Sequence, residues 1–468
     1  MSTRHASAIT ARLDRLPLTR HVWLLVAMLS LGGWFELYDL LMTAYVSPGL
    51  IHAGIFSAKE GLFGLPDQAA FASVTFAGLF VGTILFAQVA DRFGRRAIFT
   101  FALLWYAVAT GIMAAQSTRY GINLWRFIAG VGVGVELVTI DAYVAELVPK
   151  AVRGRVFAVN QAIQFTSAPV AAGLAAILGN SAPLGMASWR WIALVPAVGA
   201  IVVWFIRRAV PESPRWLAQQ GRAAEAEAVM AQIETKVASD TGKPLPEPGP
   251  ALEEHGSASF AEIWHPPYRA RTIMLSVFNF FQTIGFYGFG NWVPALIAAQ
   301  GVTFAKSPTY AAIIAIVYPI GPLVCSTIAD AIERKWQIVG AACCTAVCGI
   351  LFWQSGSTVP LLIFFGIVIT TSNNMLSYAY HAYQAELFPT RVRARAVGFV
   401  YSFSRLSTVF TSLMIGFFLQ NFGNGGVFGF IAFAMVVVMI SIGVFGPRTS
   451  GLALEEISGG NAQPARAA

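Results

Sequence analysis

One stretch occurs twice in this chain, and the repeat limits what the chain can fold into. DAYVAELVPKAVRGR begins at Asp141, and HAYQAELFPTRVRAR begins at His381. Glu146 answers Glu386, Pro149 answers Pro389, Arg153 answers Arg393, and Arg155 answers Arg395. A second echo lies at nearly the same separation: ADRFGRR around Asp91 and ADAIERK around Asp330. Two copies of one half, in the same order, predict a chain built as two structurally alike halves.

Composition says what solvent those halves occupy. Apolar residues make up 56% of the chain and charged residues only 12%, about half the charged fraction of a soluble domain. The apolar residues fall in blocks of about 20, the length a helix needs to cross a bilayer core. The blocks predict spans at 22–48, 69–90, 97–116, 122–148, 156–178 and 189–210, then at 271–299, 308–330, 336–354, 359–383, 396–420 and 426–446. The expected fold is therefore an all-α membrane protein of twelve transmembrane helices in two pseudo-symmetric six-helix halves. Its segments are a cytoplasmic N-terminal segment (1–21), an N-terminal half (22–210), a charged, proline-bearing cytoplasmic loop (211–270), a C-terminal half (271–446) and a cytoplasmic tail (447–468). Within the loop, Ala223 to Lys236 predicts a short surface helix. No cleavage site follows the basic first segment, and the next block is too long for a signal peptide, so that block is read as a retained helix.

The net charge of +8 would suit a nucleic-acid partner only if the basic residues clustered for one. They sort by side of the membrane instead. With a cytoplasmic N-terminus, the outside loops hold only Lys59, Arg119, Arg190 and Lys306, and Arg126 and Arg405 fall inside spans. Every other lysine and arginine lies on the cytoplasmic side, as the positive-inside rule requires. The charge is topology, and no nucleic acid is expected. Cys325, Cys343, Cys344 and Cys348 lie in apolar segments without metal-site spacing and are expected to be buried free thiols. No Ser-His-Asp set and no metal cluster is found, so neither an enzyme, a metal nor a cofactor is expected. The Gly130, Gly132 and Gly134 alternation has no strand before it and is read as close helix packing.

Ionisable groups at membrane depth cost a few kcal/mol each and usually face a cavity or a partner. Glu36 and Asp39 stand at i, i+3 in the first span, on one face. Two carboxylates so close raise one another's proton affinity, so one of them is a candidate proton carrier. The other reading is that they pair with arginines and hold helices together. Glu136 and Asp141 are further acids in the fourth span. Arg126, near the outer end of that span, is read as a pairing or snorkelling arginine. Arg405 lies about 14 Å into the eleventh span at the helical rise. It either anchors a carboxylate through its planar fork or pairs with Asp39 or Glu36. The second half offers neutral groups: Gln282, Tyr287 and Asn291 in the seventh span, and the i, i+4, i+7 stripe Asn373, Ser377 and Tyr380 in the tenth. Each either binds substrate or bonds a neighbouring helix. His381 is read as a structural group at the cytoplasmic end.

With these residues in view, the chain resembles the major facilitator superfamily. AQVADRFGRR is similar to that family's loop pattern between its second and third helices, with Ala87 where glycine is usual. In the second copy Ala331 and Glu333 depart from the pattern. PESPRWLAQQGR, Pro211 to Arg222, resembles a segment of the sugar porters, organic-ion transporters and synaptic-vesicle-glycoprotein-like carriers. GGWFELYD, FYGFGNWVPAL and ELFPTRVRARAVGFVYSFSR resemble bacterial metabolite and nicotinate-type vitamin carriers within that group. The resemblance implies that the first, fourth, seventh and tenth helices line a central cavity. It implies Asp39 as the proton-coupling acid; Glu36 and Glu136, as acids near mid-depth, are the further candidates. It implies a cytoplasmic gate drawn from Asp91, Arg95, Glu146, Arg153, Arg155, Glu212, Asp330, Arg334, Glu386, Arg393 and Arg395. The expected function is proton-coupled symport of a small polar metabolite by alternating access. The first choice of substrate is an organic anion, such as a monocarboxylate, aromatic acid or sugar acid. The alternatives are a neutral sugar or organic cation, or a receptor on the same scaffold. The expected partners are the substrate, protons and the lipid bilayer. The expected protein is a monomer in a plasma membrane, the inner membrane if bacterial, with both termini cytoplasmic.

Overall fold

The computed structural model describes residues 2–149, 152–179, 181–249, 260–303, 306–328, 332–388 and 390–449, at some positions by backbone alone. Among these the regular structure is helical: α1 (Ser2–Asp14), α2 (Arg20–His52), α3 (Asp67–Phe93), α4 (Arg95–Ala115), α5 (Arg119–Leu147), α6 (Arg153–Phe165), α7 (Ser167–Leu178), α8 (Ser188–Ala209), α9 (Pro214–Gln219) and α10 (Ala223–Thr241). The second set is α11 (Tyr268–Gly290), α12 (Val293–Ala299), α13 (Ser307–Ala315), α14 (Val317–Ile328), α15 (Arg334–Gln354), α16 (Val359–Glu386) and α17 (Thr390–Phe445). Helices satisfy every backbone group internally, which a bilayer demands. Nine segments among the described residues are long and apolar enough to cross one. One of them lies in α17, which holds two spans, because Gly423 breaks it with φ of 61° and ψ of −160°. With α5 and α8 the helices make up the twelve-helix, two-half fold.

Three predicted spans are broken, and one cause accounts for all three. The breaks fall at Thr166 between α6 and α7, at Asn291–Trp292 between α11 and α12, and at Ile316 between α13 and α14. Pro169, Pro294 and Pro319 follow within three residues in each case. Proline has no N–H for the carbonyl four residues earlier, so the helix opens just before it.

The chain divides into two compact units. The first holds residues 1–42, 74–171 and 184–255, and the second holds 43–73, 172–183 and 256–468. Within the first unit α3 and α5 meet through glycines. A Cβ on Gly78 would strike the Phe127 carbonyl, and one on Gly134 would strike that of Leu79. The alternation of glycines in α5 is thus a packing seam, and Gly132 of the same series faces Trp105 of α4. Within the second unit, Gln68 Nε2 donates to the Asn291 carbonyl at 3.1 Å and Ser73 Oγ donates to the Val409 carbonyl at 3.0 Å.

Two features depart from expectation. Residues 1–21 carry a helix that the polar composition concealed. Ile9, Leu13 and Leu16 are buried, as are Ala226, Met230, Ile233 and Val237 of α10. α1 packs on α9 and α10. A charge network borders this seam. Arg12 reaches Glu227 at 2.5 Å and Glu234 at 2.7 Å, Arg15 reaches Glu234 at 2.5 Å, and Arg215 reaches Asp14 at 2.8 Å. Partial burial opposes the Glu234 charge, but hydrogen bonds from Arg12 and Arg15 outweigh it and hold the carboxyl below its ordinary pKa. The cysteines are the second departure. Cys343 is exposed, while Cys344 and Cys348 are half-buried with their sulfurs 3.9 Å apart. The expectation of buried thiols is corrected because a membrane helix turns apolar side chains outward to lipid. The Cys325 side chain lies outside those described.

Candidate functional site

Helix α2 carries Glu36 and Asp39 into the interior of the first unit, where both are buried, Asp39 completely. Asp39 is held from two neighbouring helices, α5 and α4. Its Oδ2 accepts from Arg126 Nη1 at 2.7 Å, and its Oδ1 accepts from Thr110 Oγ1 at 3.2 Å. Arg126 of α5 is itself completely buried. Its Nε donates to Thr75 Oγ1 at 2.8 Å, and its Nη2 donates to the Asp39 backbone carbonyl at 2.5 Å. The sequence left Arg405 open as the partner of Asp39; the partner found is Arg126. The reading of Arg126 as a pairing arginine names the contact it makes. A carboxylate and a guanidinium removed from water hold their charge only through mutual attraction and hydrogen bonds. Removing either charge therefore changes the energy of the other by several kcal/mol. The Glu136 and Asp141 side chains lie outside those described.

In the second unit Arg405 of α17 is buried to 4% exposure. Its Nη2 donates to Tyr401 Oη at 3.0 Å, and its Cζ lies 4.8 Å above the Tyr401 ring. The Tyr401 hydroxyl lies close to that of Tyr380 of α16. The Tyr380 ring packs on Phe278 of α11 at 5.4 Å and on His381 at 4.1 Å. The His381 ring is exposed and also lies 5.7 Å from the Tyr401 ring. Its Nδ1 meets the Ser377 carbonyl at 2.7 Å. His381 is thus drawn into the Arg405 cluster rather than standing apart at a loop. Tyr401 was missed by sequence reasoning, and its i, i+4 spacing to Arg405 was the available signal.

The other predicted binding residues divide by what they already touch. Asn373 donates to the Gly285 carbonyl at 3.2 Å and accepts from Thr345 at 3.4 Å, so it ties α16 to α11 and α15. Tyr287 is half-buried and packs edge-on to Phe286 at 5.0 Å. Gln282 is buried. Asn291 differs: it is 1% exposed, and neither amide atom has a hydrogen-bond partner among the described residues. Such a group ordinarily requires a ligand or ordered water.

At the helix ends that carry the repeated motif, the predicted gate residues fall into local clusters. Arg334 Nη1 lies 2.8 Å from Glu386 Oε1 in the second unit. Arg393 Nε donates to the Phe388 carbonyl at 3.2 Å. In the first unit the Glu212 carboxylate accepts from the backbone N–H groups of Ser213 at 2.9 Å and Arg96 at 3.2 Å. Gly94 permits that approach, because its φ is 98° and a Cβ would meet Glu212 at 2.5 Å. Arg153 lies near Arg215 and Asp14; burial first, then Arg215, lowers its pKa. Arg155 is exposed and Glu146 half-buried. Asp330 and the side chains of Asp91 and Arg95 lie outside those described.

Comparison with known proteins places these features in context. The profile of the family described as sugar (and other) transporter matches residues 25–459. YyaJ of Bacillus subtilis (strain 168), named as a metabolite transport protein, is 31% identical over 96% of this chain and 97% of its own. The niacin transporter NiaP of Acinetobacter baylyi is 24% identical over 96% of this chain and 99% of its own. The partially occluded, inward-open structure of the xylose transporter XylE from E. coli has a TM-score of 0.72 at 20% identity. It covers 92% of this chain and 99% of that one.

Proposed function

We propose that this chain, which belongs to the sugar (and other) transporter family, is a proton-coupled symporter of a small organic acid. Membership makes it a multi-pass membrane transporter of the major facilitator superfamily acting on small molecules, and not an enzyme. The observation that carries the coupling is the completely buried Asp39–Arg126 pair. A proton loaded on Asp39 removes its charge and frees Arg126 to take another acceptor. Releasing the proton restores the pair. A transporter that can change access only in one of those states moves a proton with each substrate. Glu36, one turn away and buried, is the second candidate carrier, with Glu136 the third.

The substrate faces the second unit's polar groups. Arg405 supplies the charge, and Tyr380 and Tyr401 supply ring faces beside it. Gln282, Tyr287, Asn291 and Ser377 complete the proposed contacts, with Asn373 fixing the helix that presents them. A ring-bearing monocarboxylate suits this set, and the name of the relative NiaP is in keeping with it. The proposed setting is the inner membrane of a bacterium, with both termini cytoplasmic, halves at 22–210 and 271–446, and a monomer as the working unit. Uptake of a metabolite panel into proteoliposomes, with and without an imposed pH gradient, tests the reading. Accumulation of carboxylates that needs the inward proton gradient is expected. Accumulation of neutral sugars alone, or uptake indifferent to the gradient, would reject it.

The repeated motif supports a cytoplasmic gate in which Glu146, Arg153, Arg155, Glu212, Asp91 and Arg95 act with Asp330, Arg334, Glu386 and Arg393. Exposed pairs are worth about 0–1 kcal/mol each, so the gate works only as a set present in one access state. Arg153→Ala or Arg393→Ala is expected to favour the inward-open state and slow net transport by several-fold. Labelling of a cysteine placed on the cytoplasmic side should rise in both variants; unchanged labelling in both counts against the gate.

A further inference from the structure

The first unit contains a cavity of about 530 Å³ that shares only Glu212 with the proposed gate and nothing with the proposed substrate and proton sites. It sits where α2 and α4 begin and α8 ends, roofed by α9 and α10. Three permanent cations border it: Arg96 in the first turn of α4, Arg222 between α9 and α10, and Lys236 on α10. His21, at the start of α2, adds a ring N–H. Glu212 and Glu225 are the acids on the lining.

Both acids are engaged. Arg222 holds Glu225 with two bonds, Nε to Oε1 at 2.7 Å and Nη2 to Oε2 at 2.6 Å. Glu212 is turned to the backbone N–H groups of Arg96 and Ser213. Lys236 is exposed and has no hydrogen-bond or ion-pair partner among the described residues. Three cations against two committed carboxylates leave a positive excess.

Size and lining narrow the ligand. A bare inorganic anion fills a small part of about 530 Å³, a volume in the range of small-molecule sites. Leu217, Val229 and Ile233 give the cavity an apolar wall beside the charges. We propose that this cavity binds a phosphate ester, its phosphate between Arg222, Lys236 and Arg96 and its organic part on the α10 wall. Lys236 suits phosphate as a mobile point charge, and Arg222 can turn its Nη1 edge to it while Nε and Nη2 hold Glu225. The shared chemistry has two sources: the headgroup of an anionic phospholipid, since the cavity lies at helix ends, or a soluble phosphate ester. The cations that carry the site lie outside the transport proposal, and the test reads binding rather than uptake.

The test uses the full-length protein in nanodiscs and reads its thermal unfolding midpoint. One arm compares phosphatidylcholine alone with phosphatidylcholine mixed with phosphatidylglycerol. The other adds sn-glycerol 3-phosphate to the phosphatidylcholine discs. Saturating occupancy is expected to raise the midpoint by roughly 2–4 °C in at least one arm. The double variant Arg222→Gln with Lys236→Gln is expected to lose that rise, and Lys243→Gln, a charge removed outside the cavity, to keep it. A rise confined to the lipid arm assigns a headgroup, and a rise confined to the soluble arm assigns a free ester. A rise that survives the double variant, or no rise in either arm, overturns the site.

Discussion

Asp39→Asn is expected to abolish accumulation driven by a pH gradient while sparing exchange of substrate between loaded states. Asparagine keeps the shape of a protonated aspartate and one carbonyl oxygen for Arg126, but it cannot cycle a proton. The pairing found in the fold adds a second consequence. Arg126 is completely buried, and once asparagine replaces the aspartate its charge has no counter-ion at the 2.7 Å contact. Breaking a buried pair from one side costs on the order of 3–5 kcal/mol. A loss of transport in the single variant would therefore confuse coupling with folding. A second variant separates them: Asp39→Leu with Arg126→Met replaces the pair by apolar groups of similar volume, which is often neutral or stabilising. The double variant is expected to unfold at or above the parent's temperature and still fail to accumulate substrate against its gradient. Gradient-driven uptake is measured beside counterflow in proteoliposomes, with thermal unfolding on the same samples. Full pH-driven accumulation by either folded variant would remove Asp39 from the coupling role and move it to Glu36.

How far the fold could be read in advance follows from which terms dominate it. Span positions follow from apolar length, because the bilayer penalises every alternative, and α3, α4, α5 and α8 begin within three residues of expectation. The breaks at Thr166 and Ile316 were legible too, since Pro169 and Pro319 sit three residues on. The α1 helix escaped because arginines interrupt its stripe. Ile9, Leu13 and Leu16 stand at i, i+4 and i+7, the same spacing that α10 shows from Ala226 through Met230 to Ile233. Partners are harder than elements. Composition marks Asp39 and Arg126 as costly charges, but nothing local says that they meet across 87 residues, or that Thr75 and Thr110 complete the cage. Tyr401 is one more aromatic residue in an apolar helix until the fold sets it under Arg405.

Arg405→Lys is expected to weaken binding of a carboxylate by about 10- to 100-fold, the loss of roughly 1.5–3 kcal/mol that a charge-assisted hydrogen bond contributes. Lysine keeps the charge but loses the fork and the flat face that lies 4.8 Å from the Tyr401 ring. Tyr401→Phe keeps the ring and removes the 3.0 Å hydrogen bond that orients the guanidinium. Its expected cost is smaller, about 0.5–1.5 kcal/mol, or at most about tenfold. The rival role for Arg405 is to hold α17 in place, and a drop in affinity alone does not distinguish the two. Comparing a ring monocarboxylate with its neutral amide does. If Arg405 anchors the anion, the parent prefers acid over amide, Arg405→Lys keeps part of that preference, and Arg405→Gln erases it while amide binding persists. If Arg405 is structural, acid and amide weaken together and the unfolding temperature falls with them. Binding titrations on purified protein, with unfolding measured in parallel, decide between these outcomes. An Arg405→Gln protein that still prefers the acid by the parent's ratio would place the anion site elsewhere in the second unit, with Asn291 and its two unpartnered amide atoms as the next residue to test.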